Sequence, residues 1–238
     1  MKNLTILLLI ASFSVVMCGK ENNPPEIQPT GTVTDIDGNT YNTIQIGDQE
    51  WMMENLKVTH YNNGDAIPNV TDNTTWGSLL SGAYCIYDNT ANNADTYGNL
   101  YNWYAVSDSR GIAPSGWHVL TDDEWTELVN FLGEDAVAGG KLKEAGTAHW
   151  SSPNSGATNE SGFTALPGGY RNNSDNYHYI GFYAYFWSSS DYNSNTAWSR
   201  MLDYNNDWIS ELDNTNAQVY RSRYNKNYGF SVRCVRDK

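Results

Sequence analysis

Residues 182–202 read FYAYFWSSSDYNSNTAWSRML, two runs of aromatic and apolar residues separated by Ser, Asn and Asp. Aromatic runs bounded by such turn residues are typical of short strands. The pattern predicts strands at 182–187 and 196–202, and the run GFSVRCV predicts another at 229–235. Several short strands with turn residues between them indicate a sheet-rich domain.

Toward the N-terminus, three more short strands are predicted. Residues 32–35 and 42–46 flank the sequence DGN at 37–39, which is a strong hairpin signal. Residues 50–53 then have the composition of a third strand. We expect these segments to pair with one another because short turns connect them.

One helix is marked clearly and begins at Thr121. Thr121 and Glu124 have the spacing of a capping box, and apolar residues then recur at helical spacing through Leu132. Weaker patterns predict helices at 98–106 and 141–145. The sequence therefore predicts an α+β fold, in which two or three helices and long loops flank a twisted antiparallel sheet.

The first 17 residues have the character of a secretory signal peptide. An uncharged apolar run of 14 residues follows Lys2 and Asn3, shorter than the ~20 residues that a spanning helix needs. The run ends at Cys18 and resembles a bacterial lipoprotein box, in which the cysteine is acylated; an ordinary signal peptide is the alternative. Residues 18–31 predict a flexible tether, and residues 32–238 are predicted to form a single domain.

The charge balance limits the possible partners. The chain has 14 basic and 27 acidic residues, a net charge of −13. Such a surface repels nucleic-acid phosphates and anionic lipid head groups. We therefore expect no nucleic-acid partner, and we expect contact with a membrane through the N-terminal lipid only. That lipid would hold the domain at the outer membrane or cell surface.

Two cysteines remain if Cys18 is acylated. Cys85 and Cys234 are an even pair in an oxidising compartment, which favours a disulfide between them. Two buried free thiols are the alternative.

Several blocks, taken in order, resemble one known family. They are WMMENLK at 51–57, GAYC at 82–85, YGNLYNW at 97–103, GWHV at 116–119, GFTALPGGYR at 162–171, FWSSS at 186–190 and GFSVRCVR at 229–236. Together they resemble the Fibrobacter succinogenes major paralogous domain of exported proteins and lipoproteins, over nearly all of residues 32–237. The resemblance implies a location and an architecture. It implies no activity, because the family has no agreed biochemical activity.

A more distant similarity is to the formylglycine-generating enzymes. The capped helix at Thr121 and the block at 229–234 carry it. Those enzymes share the C-type lectin fold, so this similarity implies a twisted sheet whose long loops present a surface. Fold alone does not transfer an activity.

No catalytic residues are predicted. The 4 histidines lack zinc-ligand spacing, and the motifs of hydrolase nucleophiles and nucleotide-binding loops are missing from the sequence. No cofactor is expected, although Asp203, Asn205 and Asp207 have the oxygen ligands that calcium prefers. The simpler interpretation is that these side chains close turns.

The remaining feature is the concentration of Tyr, Trp, Asn and Ser in residues 177–230. Tyr with small polar residues is also typical of antibody binding loops, whereas Trp187 and Trp198 are expected in the core. The candidates for ligand contact, which Asx or Arg residues flank, are Tyr192, Tyr204, Trp208, Tyr220 and Tyr224.

The sequence thus favours an envelope-anchored, non-catalytic binding module for a polysaccharide or a surface protein. A structural component of the envelope without a soluble ligand is the first alternative. An enzyme with an unrecognised carboxylate pair, which folding could assemble, is the second.

Overall fold

The computed structural model describes residues 28–174, 176–205 and 218–238. The strands in these residues are β1 (Gly31–Thr34), β2 (Thr40–Ile46), β3 (Gln49–Met52), β4 (Tyr84–Cys85), β5 (Leu100–Tyr101), β6 (Trp117–Val119), β7 (Tyr170–Arg171), β8 (Tyr177–His178), β9 (Tyr183–Asp191), β10 (Thr196–Asp203), β11 (Tyr220–Asn225) and β12 (Cys234–Arg236). The helices are α1 (Asn73–Gly77), α2 (Ala91–Tyr97), α3 (Trp103–Val106), α4 (Asp122–Phe131) and α5 (Asp135–Leu142).

The strands form two main antiparallel sheets. The first has the order β1-β2-β3-β12-β6, so β12 lies between strands from the N-terminal half of the chain. The second has the order β11-β10-β9, and two small pairs, β4-β5 and β7-β8, lie beside them. This architecture is the sheet-dominated α+β fold that the sequence predicts.

Residues 229–231 connect the smaller sheets to the larger one. Phe230 bridges Tyr101 at the end of β5, and Ser231 bridges Phe186 in β9. The chain then enters β12, which pairs with β3 and β6. The strand predicted at 229–235 is therefore divided, because its first residues make single bridges to several partners and only its end joins a sheet.

The helix predicted at Thr121 is confirmed as α4. The Thr121 side chain accepts a hydrogen bond from the backbone of Glu124, and the Glu124 carboxylate accepts one from the backbone of Thr121. The buried side of the helix carries Trp125, whose ring lies 5.5 to 5.7 Å from three other aromatic rings, those of Trp51, Phe163 and Phe186. These contacts hold α4 against both main sheets.

The other helix predictions are partly wrong. Within 98–106, residues Leu100–Tyr101 form β5 and the helix covers only Trp103–Val106. Gly98 explains the break, because its φ is +74° and a Cβ there would lie 2.7 Å from the Cβ of Asn55. Of the segment predicted at 141–145, only Lys141 and Leu142 are helical, as the last residues of α5 (Asp135–Leu142), and Lys143 is already extended.

The predicted disulfide is not formed, because Cys85 and Cys234 are buried free thiols. Strand β4 directs Cys85 into a small apolar cluster with Trp76 and Leu100, whereas β12 directs Cys234 into the larger cluster that contains Phe230. Burial raises the pKa of Cys85 to about 11. The thiol is therefore protonated and unreactive at neutral pH.

The predicted signal peptide, Cys18 and most of the tether lie outside the described residues, which begin at residue 28. Within the described ranges, each helix is too short or too polar to cross a bilayer.

Candidate functional site

The three-stranded sheet of β9, β10 and β11 has two faces of different chemistry. Side chains alternate along a strand, so Tyr185 of β9 projects to one side and Phe186 to the other. On the first side, Tyr185 lies opposite Met201 of β10, which lies opposite Tyr220 of β11. On the second side, Phe186 packs against Trp125 of α4. We call these sides the tyrosine face and the helix face.

The tyrosine face consists of Tyr170, Tyr179, Tyr183, Tyr185, Tyr220, Tyr224 and Tyr228. All of them except Tyr179 belong to or pack against the cluster that contains Phe230 and Met201, and Tyr179 contacts Tyr170 and Tyr183. The rings of Tyr170 and Tyr228 stack at 5.8 Å, and those of Tyr185 and Tyr224 meet edge to face at 5.6 Å. Tyr185 is buried, and the others are partly or fully exposed. Because a tyrosine can bury its ring and leave its hydroxyl in water, this face is apolar inside and hydrogen-bonding outside.

A cavity opens at one end of the tyrosine face. It has a volume of about 290 Å³ and is lined by Tyr179, Phe182, Tyr183 and Tyr204. We call it the aromatic pocket. Two of its lining residues are unusually exposed for aromatic side chains, Tyr179 at 52% and Phe182 at 39%. The pocket therefore presents ring faces and edges to solvent instead of burying them.

The backbone of Tyr179 is in the left-handed region, with φ +63°. This conformation favours glycine or asparagine and costs other residues of order 1 kcal/mol or more. A bulky side chain is thus held at a strained backbone position while half of it faces solvent. Packing explains only part of that arrangement, since the ring meets Tyr183 edge to face at 5.0 Å but is 52% exposed.

Two phenols of the tyrosine face, those of Tyr170 and Tyr220, are neutral at physiological pH. Burial, together with the neighbouring phenols, raises the pKa of Tyr170 to about 12. Burial beside Asp203 and Tyr183 raises the pKa of Tyr220 to about 12. Neutral hydroxyls both donate and accept hydrogen bonds, so the face suits an uncharged ligand with many hydroxyl groups.

A second group of aromatic side chains lies along β11, which is an edge strand of the three-stranded sheet within the described residues. The Arg221 guanidinium lies 3.5 Å above the centre of the Trp198 ring, and the Arg223 guanidinium lies 4.3 Å above that of Tyr192. The rings of Tyr192 and Trp198 contact each other at 5.1 Å. We call this group, Tyr192, Trp198, Arg221 and Arg223, the arginine edge.

The structure divides the predicted ligand-binding residues between these surfaces. Tyr204 lines the aromatic pocket, and Tyr220 and Tyr224 belong to the tyrosine face. Tyr192 lies on the arginine edge instead. Trp208 lies outside the described residues.

The two tryptophan predictions have different outcomes. Trp187 is fully buried, as predicted. Trp198 is half-buried, and Arg221 covers its ring, so the prediction that it belongs to the core is wrong. It lies next to the edge strand β11, where long cationic side chains can cover an aromatic ring that no other element covers.

Sequence analysis missed Tyr170, Tyr179, Phe182 and Tyr183. The alternation in 183–185 is a usable signal for Tyr183, because residues two apart in a strand share a face. No sequence signal indicates Tyr179, which reaches the pocket through its left-handed turn.

Of the residues proposed for calcium, the structure describes Asp203 and Asn205. The Lys143 ammonium donates a hydrogen bond of 2.8 Å to the backbone carbonyl of Asp203, whose carboxyl is buried with its pKa raised by that burial. Asn205 follows β10, and Asp207 lies outside the described residues. In the part of the chain that the structure describes, no cluster of three His, Cys, Asp or Glu side chains could hold a metal. Calcium binding stays a prediction.

Comparison with known proteins identifies the family. The sequence model of one protein family, the Fibrobacter succinogenes major domain, matches residues 44–236. The chain belongs to this family. The matched region begins within β2 and runs to the end of β12, so it includes the tyrosine face and the arginine edge. Curated proteins and solved structures give no match, and the expected similarity to the C-type lectin fold stays a prediction.

Proposed function

We propose that the protein is a non-catalytic binding module, anchored in the bacterial envelope, that holds a neutral glycan in its aromatic pocket and against its tyrosine face. One observation carries the proposal. Tyr179 and Phe182 are exposed around a cavity that Tyr183 and Tyr204 complete. A strained backbone maintains the position of Tyr179, which is typical of residues kept for function.

The chemistry of the pocket fits a sugar. The apolar faces of a pyranose ring can stack on tyrosine and phenylalanine, while its hydroxyls pair with neutral phenols. The pocket volume of about 290 Å³ is near the lower end of the range of small-molecule sites, roughly 300 to 1,000 Å³. A site of this size would hold one or two sugar units, and the adjoining tyrosines would extend the contact along a chain.

The N-terminal residues support an anchored module. The apolar run of 4–17 and Cys18 match an export signal with an acylation site, and residues 18–30 have the polar composition of a tether before β1. Such an arrangement would display the aromatic pocket at the outer membrane or cell surface. A surface protein is the alternative ligand, and an assembly role without a soluble ligand is the alternative function.

The test is retention of the purified full-length protein on a panel of neutral polysaccharides, together with a glycan array. We expect retention on at least one neutral glycan, and we expect the same retention when a chelator removes calcium. The variant Tyr179→Asn should lower the affinity for that glycan at least 10-fold, because the ring that contacts the sugar is lost. The backbone should stay as it is, because asparagine tolerates the left-handed region.

Tyr192→Asn is the matched control. Tyr192 is 47% exposed but lies on the arginine edge, so its loss should leave neutral-glycan binding unchanged. Absence of retention on every sugar would contradict the glycan proposal. Retention that Tyr179→Asn leaves intact would exclude the aromatic pocket as the site.

A further inference from the structure

We propose that the arginine edge is a second binding site, which recognises the carboxylate of a uronic-acid unit in an acidic polysaccharide. An open cavity of about 540 Å³ runs along β11, and its lining residues are Trp198, Arg221, Ser222, Arg223 and Tyr224. Strand β11 is the edge strand of its sheet. A chain-like ligand could therefore approach this strand from solvent.

Arg223 is the group that indicates an anionic ligand. Other exposed arginines of the described residues are neutralised by carboxylates: Arg110 by Asp65 and Asp108, and Arg236 by Glu50. Arg223 is exposed, and within the described ranges it forms no ion pair with a carboxylate. In a chain of net charge −13, a cation without a counterion is an exception that a ligand carboxylate would resolve.

The stacked geometry prepares Arg223 for a planar anion. Its guanidinium lies 4.3 Å from the centre of the Tyr192 ring and 5.9 Å from that of Trp198. Within the described residues, the Arg223 guanidinium contacts these rings and donates no hydrogen bond to an oxygen acceptor, so its N–H groups remain for a ligand. These groups form paired hydrogen bonds with carboxylates.

The exposed ring beside the cation indicates that the carboxylate belongs to a sugar. Tyr192 is 47% exposed next to Arg223, and an exposed ring can stack on the pyranose that carries the carboxylate. Arg221 contributes less charge, because Asp122 accepts its hydrogen bonds at 2.7 to 3.1 Å. The site is thus matched to an isolated carboxylate on a ring rather than to a dense polyanion.

This site is separate from the aromatic pocket, although Tyr224 belongs both to its cavity and to the tyrosine face. Tyr192, Arg221 and Arg223 do not line the aromatic pocket, so either site can fail in experiment without the other. A protein that uses both would bind neutral and acidic units of a mixed polysaccharide together.

The experiment is a calorimetric titration of the full-length protein with oligogalacturonate and with its fully methyl-esterified form. We expect binding of the free acid, at least 10-fold weaker binding of the ester, and weaker binding as salt rises. Arg223→Gln should reduce the affinity for the acid at least 10-fold. Arg223→Lys should bind with intermediate affinity, because the charge remains but the planar fork is lost.

Arg110→Gln is the matched control. Arg110 also lies over a tyrosine, 3.8 Å from the ring centre of Tyr61, but two carboxylates already neutralise it. This variant should bind oligogalacturonate as the wild type does. Tyr179→Asn should do the same, which separates this site from the aromatic pocket.

Four outcomes would overturn the proposal: no binding of the free acid, equal binding of acid and ester, unchanged binding by a folded Arg223→Gln protein, or binding of poly-glutamate or a sulfated glycan at least as tight as that of the uronate. Arg223 is exposed, so we expect the variant to fold. An unchanged thermal transition verifies this.

Discussion

The helix face and the tyrosine face are built from alternate residues of the same three strands, yet they bury aromatic side chains to different extents. On the helix face, Phe186 and Leu202 are 0% and 2% exposed and pack beneath α4. On the tyrosine face, Tyr185 is buried at 7%, while the tyrosines around it keep part of their rings in solvent. Phenylalanine can be enclosed completely, whereas a tyrosine hydroxyl needs water or a partner.

This difference indicates a division of roles within one sheet. The helix face contributes mainly to stability, because full burial gives the largest hydrophobic gain. The tyrosine face combines packing with an accessible, hydrogen-bonding surface. Substitutions should therefore cost more stability on the helix face and more binding on the tyrosine face.

Asp122→Ala should have the largest effect on stability. The Asp122 carboxylate is 9% exposed and lies 2.6 Å from the Arg200 guanidinium, which is 3% exposed. Its removal leaves a buried cation without its counterion, which typically costs about 3–5 kcal/mol. Chemical denaturation of the purified protein would measure the loss.

Asp123→Ala is the control for that prediction. Asp123 occupies the same first turn of α4 but is exposed. Its loss removes only a favourable interaction with the helix dipole, below about 1 kcal/mol. Equal losses for the two variants would show that the ion pair with Arg200 contributes nothing specific to the helix face.

Tyr185→Phe should have a smaller effect, on the tyrosine face. Burial and the neighbouring phenol of Tyr224 raise the pKa of Tyr185, and the two rings meet edge to face at 5.6 Å. Loss of this buried hydroxyl, next to that of Tyr224, should lower the free energy of unfolding by about 1 kcal/mol. The measurement is chemical denaturation, and a double-mutant cycle with Tyr224→Phe isolates the pair.

Tyr192→Phe is the comparison variant, since its ring is 47% exposed. It should change stability by less than about 0.5 kcal/mol. A coupling free energy near zero between Tyr185 and Tyr224 would mean that the tyrosine face is stabilised by ring packing alone.

The sequence predicts α4 and most of the long strands because their signals are local. The capping box of Thr121 and Glu124 and the apolar stripe that follows fix one helix without reference to any distant residue. The hairpin of β1 and β2 is similarly marked by its turn residues, and in the structure Asp35 and Asn39 hold that turn through hydrogen bonds of 3.0 and 2.9 Å.

The wrong predictions concern segments whose structure depends on distant partners. Leu100 and Tyr101 lie in a helical pattern but pair with β4, and Tyr101 also bridges Phe230. The position of Tyr192 on the arginine edge also depends on strand pairing, because the register between β9 and β10 shifts between Ala197 and Ser199. A single sequence contains no local signal for either feature.

His118→Gln should lower stability at low pH, and by less than about 1 kcal/mol, since the imidazole is 37% exposed and solvent screens its charge. Burial opposes ionisation of His118, but hydrogen bonds to Asp237 at 2.6 Å and Glu124 at 2.8 Å outweigh it and raise its pKa above 6.5. A folded-state pKa above the unfolded value gives stability that is complete below about pH 6.5. That stability is lost as the pH rises through the folded-state pKa.

Denaturation of the wild type and His118→Gln at pH 5.5 and 9 tests this sign. The difference between the proteins should be larger at pH 5.5 and should shrink in 1 M salt. A larger difference at pH 9 would contradict the assigned ion pairs, and with them the link between Glu124 at the start of α4 and Asp237 after β12.

Tyr179→Asn should have the smallest effect on stability, below about 0.5 kcal/mol in either direction. Tyr179 is 52% exposed, so little apolar area returns to water when the ring is removed, and asparagine tolerates the backbone φ of +63° at lower cost. Thermal and chemical unfolding would measure the change, with Tyr185→Phe as the buried reference on the same face. A larger loss of unfolding free energy for Tyr179→Asn than for Tyr185→Phe would show that the Tyr179 ring mainly contributes packing. The contrast between an enclosed helix face and an accessible tyrosine face would then not hold at the aromatic pocket. A near-zero change combined with lost glycan binding would instead assign Tyr179 to ligand contact, because a ring that contributes no stability at a strained position needs another reason to be there.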